Sequence, residues 1–139
     1  MKIQFVAGVT PITSNPAASA GLYLDALGLP LGGEQRYLST DSLEGVKHFG
    51  IWSIQAAAQS CFGRDTWPDH IPVPQATIEF ELEDVAAVRA ATEELAGNGF
   101  EIIHAAKEEP WGQTVARFLS PEGLLIGLSF APWMHEDQA

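Results

Sequence analysis

A hairpin near the C-terminus constrains the fold more than any other feature of the chain. Thr114, Ala116 and Phe118 alternate with Gln113, Val115, Arg117 and Leu119, a period of two that places the two sets on opposite faces of a strand. Ser120-Pro121-Glu122-Gly123 follows as a turn. Pro121 fixes a φ suited to it, and Gly123 accepts a positive φ with no Cβ penalty. Beyond the turn, Leu124, Ile126, Leu128 and Phe130 form one strongly apolar face, with Leu125, Gly127, Ser129 and Ala131 opposite. An aromatic-bearing loop, Glu109-Pro110-Trp111-Gly112, leads into the first strand.

Upstream, the order of signals repeats. Residues 3–9 read as a short strand, and Asn15-Pro16 gives a helix cap followed by proline at the first helical position. That helix carries Leu22, Tyr23 and Leu27 on its apolar side and stops near Gly28. In the second half, residues 76–83 alternate as a strand, and Asp84 caps a helix holding Val85, Val88 and Leu95. It ends in Gly97-Asn98-Gly99, before a strand over Phe100 to His104. Gly28 and Gly99 lie 71 residues apart (99 − 28), close to half the 139-residue chain. Two copies of a strand-helix-strands module are therefore expected, the first over residues 1–62 and the second over 75–133. Residues 63–74, with Pro68, Pro72 and Pro74, read as an irregular linker. The first module departs from the pattern: residues 46–54 form a convincing strand, residues 34–40 a weaker one, and a further strand is hard to find. Gln55 to Cys61 looks helical.

Composition limits the partners. With 18 acidic against 7 basic side chains, the net charge of −11 opposes binding to nucleic acid or to anionic lipid. No apolar run is long enough to span a bilayer. The single Cys61 cannot form an intrachain disulfide, so a cytoplasmic protein is expected.

The final hairpin, its EPWG entry and the duplicated order resemble the vicinal-oxygen-chelate superfamily of glyoxalase I, extradiol dioxygenases and bleomycin-resistance proteins, and are most similar to the bleomycin-resistance branch. The resemblance implies an α+β fold of two βαβββ modules whose curved mixed sheet forms a cup, with helices outside. It also implies a divalent metal held by His, Glu or Gln on the first and last strands of each module in those relatives that are enzymes. Carried onto this chain, the ligand positions fall at Gly127, near Thr77, near Gly8 and within His48 to Ile54, where only His48 can coordinate. No metal and no cofactor are expected.

On the family geometry, parity places Glu79, Glu81 and Glu83 in the cup with Thr77, and packs Ile78, Phe80 and Leu82 under the helices. Gln113, Val115 and Arg117 face the cup from the penultimate strand, His48, Gly50 and Trp52 from the first module, and Trp111 stands at the lip. The alternative is that this strand exposes its glutamates to water. Arg117 is expected to neutralise Glu79 or Glu81. Cys61 has no base placed beside it, and His70, His104 and His135 read as solvated.

The expected function is a metal-independent small-molecule binding protein that sequesters a cationic or aromatic ligand. Glu79 and Glu81 supply charge, Trp52 and Trp111 stacking surfaces, and His48, Gln113 and Arg117 polar contacts. The alternatives are a glyoxalase-like lyase or isomerase, with a relocated metal or with Glu81 or His48 as base, and a protein-binding regulatory subunit. The resemblance implies a homodimer, often with an exchanged N-terminal strand, for which Pro11 is either the hinge or a plain strand terminator.

Overall fold

The computed structural model describes residues 1–135. Each half of the chain builds the same unit. The first holds β1 (Phe5–Thr13), α1 (Pro16–Ala20), β2 (Gly32–Glu34), β3 (Tyr37–Thr40) and β4 (Phe49–Ser53). After α2 (Ile54–Phe62) and an irregular stretch, the second holds β5 (Ala76–Glu81), α3 (Val85–Gly97), β6 (Ile102–Glu108), β7 (Thr114–Leu119) and β8 (Leu125–Phe130). The strand that the sequence obscured is β2, a three-residue edge segment of two glycines and a glutamate with no apolar alternation to reveal it.

All eight strands join one mixed sheet in the order β2-β3-β4-β1-β5-β8-β7-β6. The first and last strands of each unit run parallel, β1 with β4 and β5 with β8. The two units meet at an antiparallel β1–β5 seam. β1 therefore pairs with strands of its own chain and runs through Pro11, which sits opposite Ala76. Pro11 is thus not a strand terminator. It lies two residues before the strand end, where the ladder continues through the Ile12 amide, which donates to the Gln75 carbonyl at 2.8 Å.

Helices α1 and α3 cover the convex face. Asn15 accepts from the Ala18 amide and Asp84 from the Ala87 amide, each satisfying a free donor of a first turn. Leu82, Val88, Ala91, Ala116 and Leu128 form the core beneath α3. Leu31, Leu38 and Ile51 do so beneath α1, with Ala20, Tyr23 and Leu24 packed on them. Leu22 and Leu27 are 50% and 58% exposed rather than packed. After Ala20 the helix widens into π-type turns over Gly21–Ala26, which shifts the phase that a 3.6-residue period assumes. The strand expected over Phe100 to His104 starts at Ile102 and runs to Glu108.

Helix α2 is placed differently. It packs on the concave face, where Ala56, Ala57, Ala58 and Cys61 meet Trp52, Leu125 and Trp67, and so closes one end of the cup. Ser53 caps it by accepting from the Ala56 amide at 3.1 Å, and Gly63 ends it at φ +72. In the irregular stretch that follows, the Trp67 indole N–H donates to the carbonyls of Ile71 and Pro72, which fixes the chain without regular structure.

Candidate functional site

The concave face encloses a cavity of about 910 Å³, within the range of small-molecule sites. Thr77 and Glu79 of β5, Gln113 and Arg117 of the β7 segment, and His48 and Trp52 of the β4 segment line it. Ala56, Gln59 and Ser60 of α2 close one end, and Trp111, Trp133 and Met134 stand at the other. Trp111 is 51% exposed, with its indole N–H donating to Gln113 Oε1 at 2.8 Å. Carboxylates outnumber permanent cations on these walls: Glu34, Asp41, Glu79, Glu108 and Glu109 stand against Arg36, Lys107 and Arg117.

Glu81 lies elsewhere. It shares the parity of Glu79, but it is 0% exposed and sits under the C-terminal segment. Its Oε2 accepts from the Ala131 amide at 2.6 Å and from His135 Nε2 at 2.7 Å. Burial raises its pKa, an effect that those donors partly oppose. The expectation that Glu81 faces a ligand is thus corrected: the chain after β8 folds back over it, which strand parity cannot foresee. Glu83 is exposed outside the cup.

At the centre lies Arg117, 2% exposed. Its Nη1 donates to Ser60 Oγ at 2.9 Å and to Glu109 Oε1 at 3.1 Å, while the Ser60 hydroxyl donates to the same Glu109 oxygen at 2.6 Å. Glu79 Oε2 is 3.8 Å from Nη2, and the guanidinium lies 5.2 Å from the Trp52 ring centroid. Its principal counter-ion is therefore Glu109, not Glu79 or Glu81. Glu109 opens the EPWG loop, whose turn closes when the Gly112 amide donates to the Glu109 carbonyl at 2.9 Å. His104 is not simply solvated, for its Nδ1 donates to the Ala105 carbonyl and its Nε2 accepts from Arg117 at 3.0 Å. Burial drives its pKa down to about 4, against an opposing effect of that backbone bond. Burial also raises the Cys61 thiol, which keeps it a protonated core group rather than a nucleophile.

Strand register sets Glu79 between the two glycines at expected ligand positions: Gly8 and Gly127 both pair with Glu79, while Thr77 pairs with Thr10 and Leu125. On the other side Val9 pairs with Phe49, and its amide donates to the His48 carbonyl. A Cβ on Gly127 would come within 3.0 Å of Glu79 Cγ, and one on Gly8 would meet His48. The Glu79 side chain thus fills the room that a ligand side chain at Gly127 would need, and at Gly8 the His48 backbone carbonyl stands 3.2 Å from where a Cβ would be. Two donor residues remain, and both ring nitrogens of His48 are already engaged. Among the described residues no group of three or more His, Cys, Asp or Glu side chains converges as a metal centre requires. The residues present do not fit a divalent metal.

A second polar array was not anticipated. Asp41 Oδ1 lies 2.5 Å from His48 Nδ1, and His48 Nε2 lies 2.5 Å from the Tyr37 hydroxyl. Tyr37 pairs across the strands with Trp52, edge to face, and lies over Gly50, where a Cβ would stand 3.0 Å from its hydroxyl. Burial, reinforced by Glu79, raises the Tyr37 pKa, so the phenol stays protonated.

Two outcomes test this arrangement. Arg117→Met strips Glu109, 5% exposed, of its nearer cation and leaves it only the more exposed Lys107 at 3.8 Å; removing one partner from a buried pair costs about 3–5 kcal/mol, and urea unfolding should show a loss toward the lower end of that range. His104 should carry an acid-sensitive contribution. Its folded pKa, about 4, lies below the 6.5 of the free side chain, so the unfolded chain takes up the proton first. Its contribution is complete above about pH 6.5 and is lost as pH falls toward 4. Glu81, with a raised pKa, acts in the opposite sense. Denaturation at a series of pH values should therefore show a flatter acid limb for His104→Gln than for the parent.

The Glyoxalase/Bleomycin resistance protein/Dioxygenase superfamily matches residues 7–128. Among curated proteins no match is found. A superfamily member from Vibrio splendidus 12B01 superposes with a TM-score of 0.58 at 14% identity, over 92% of this chain and 98% of its own. A protein from Legionella pneumophila described as an NAD-dependent benzaldehyde dehydrogenase gives 0.58 at 14% identity, over 88% and 96%. A methylmalonyl-CoA epimerase variant from Streptomyces coelicolor gives 0.54 at 12% identity, over 94% and 96%. At these identities the likeness is one of fold. With the paired modules, the cup and a sequence match over most of its length, the chain belongs to the Glyoxalase/Bleomycin resistance protein/Dioxygenase superfamily.

Proposed function

We propose that this protein is a metal-independent, small-molecule binding protein of the bleomycin-resistance kind, whose cup takes up a cationic aromatic compound. The observation that carries the reading is Glu79, a carboxylate on the cavity wall with glycine opposite it on both neighbouring strands, among walls of Tyr37, Trp52, Trp111 and Trp133. Its Oε2 accepts from Gln113 Nε2 at 3.2 Å, which orients the group without discharging it. Arg117 is paired more closely with Glu109, at 3.1 Å against 3.8 Å to Glu79, so Glu79 keeps part of its negative charge to offer. A ring seated on the indoles then gains stacking as well as charge pairing.

The test uses benzyltrimethylammonium as probe, followed by tryptophan fluorescence. Saturable quenching is expected, weakened about tenfold or more by Glu79→Gln, a loss of the size of one charged contact. Equal affinity for a neutral compound of the same shape would sink the cationic reading.

We also propose that the protein works as a homodimer, as members of this superfamily often do. Light scattering should return twice the 15.0 kDa chain mass; a monomer at micromolar concentration would refute it.

A further inference from the structure

Asp41, His48 and Tyr37 stand in line from solvent to cavity. The Asp41 side chain is 65% exposed and that of His48 19%, while Tyr37 lines the cup. The carboxylate can only accept, so the neutral imidazole carries its proton on Nδ1 and presents a bare Nε2 to the phenol. The Tyr37 hydroxyl then donates outward to His48, and its oxygen, which Thr10 also approaches, keeps a lone pair for the cavity. In this arrangement a phenol passes a ligand's proton to an imidazole, and an outer carboxylate balances the imidazolium that forms.

We propose that Tyr37, recharged through His48 and Asp41, is a metal-free proton-transfer centre acting on a cationic nitrogen compound with an acidic C–H conjugated to the charge. The inference rests on the reading of the cup as a site for cationic aromatics. Charge selects the substrate class. Glu79 stands close enough to bear on Tyr37, and carboxylates are in excess along the walls. A neutral substrate would become an anion beside Glu79, which like-charge repulsion opposes. A cation that loses a proton becomes neutral, and the positive charge moves to His48 against Asp41.

The step balances. The substrate C–H bond breaks and its proton joins the Tyr37 oxygen as the phenolic proton passes to His48 Nε2. The released electron pair forms a carbon–carbon double bond and restores the lone pair of the nitrogen. Return of a proton by the same route, at that carbon or at another conjugated one, yields exchange or isomerisation. Tyr37 is the catalytic residue, and His48 and Asp41 are positioning residues that act through it. The charged groups facing the array are Asp41 after β3, Glu79 on β5 and Arg117 on β7.

The probe is 1-benzyl-4-methylpyridinium in D2O. Binding is followed by indole quenching, and loss of the methyl proton signal by NMR. Catalysed exchange is expected, with a rate that depends on pH. Per bound probe, exchange should fall at least about 100-fold in Tyr37→Phe, the usual scale of acid–base catalysis. His48→Gln, which can still bond Tyr37 but cannot take its proton, should fall as far and lose the pH dependence. Asp41→Asn should shift the pH profile with a smaller loss. Binding without exchange, or exchange that survives Tyr37→Phe, overturns the relay and leaves the binding function standing. Absence of binding overturns both.

Discussion

The concave half of this molecule is organised around one buried cation. Arg117 leaves β7 and meets Ser60 of α2, Glu109 of the EPWG turn, His104 of β6, Glu79 of β5 and the Trp52 ring of β4. A guanidinium placed out of water is costly unless its protons are satisfied and its charge is paired, and here most of that demand is met by groups from five different elements. The result is directional. The convex cores beneath α1 and α3 are apolar and would tolerate small slips, whereas four polar partners at hydrogen-bond or ion-pair distance hold the rim of the cup in one geometry. Thr77 Oγ1 and Arg117 Nε are the exceptions in the cup, buried without a hydrogen-bond partner among the described residues.

Around that anchor the expected ligand positions at 8 and 127 carry no side chain; Glu79 crowds Gly127, and the His48 backbone carbonyl lies beside Gly8. The donors nearby have separate attachments, Glu79 to Gln113 and His48 to Asp41 and Tyr37. The same two residues underlie both proposals, one as a charge for the ligand and the other as the middle of a proton path. The C-terminal segment contributes differently: His135 bonds the buried Glu81 and sits near Phe5 and Phe130, which fixes the short turn that brings Trp133 to the cavity wall.

Much of the architecture was legible because local patterns and global fold agree. The hairpin after Gly112, the caps at Asn15 and Asp84, the helix over Gln55 to Cys61 and the glycine stops are short-range signals, and the structure uses them where they were read. Leu22 and Leu27 misled because the helix leaves the 3.6 period. β2 was obscure because an edge strand that covers nothing needs no apolar alternation. Of the candidate site residues, His48, Trp52, Glu79, Trp111, Gln113 and Arg117 do line one cavity, since parity on a recognised strand is a reliable guide to a face. Glu81 shares that parity and fails, because a segment fifty residues further on covers it.

The sequence by itself determined the unit that is repeated, the faces of its strands and the two glycines in the ligand row, since these depend on periodicity and on side chains that are present or absent. Only the tertiary structure decided the pairings. That Arg117 belongs to Glu109, that Glu79 and not Thr77 lies between Gly8 and Gly127, and that Tyr37 meets Asp41 through His48 are results of register, sheet curvature and the fold-back of α2. Residues 57 positions apart, such as Ser60 and Arg117, come within hydrogen-bond reach only when the cup closes, and no local signal in the chain encodes that distance.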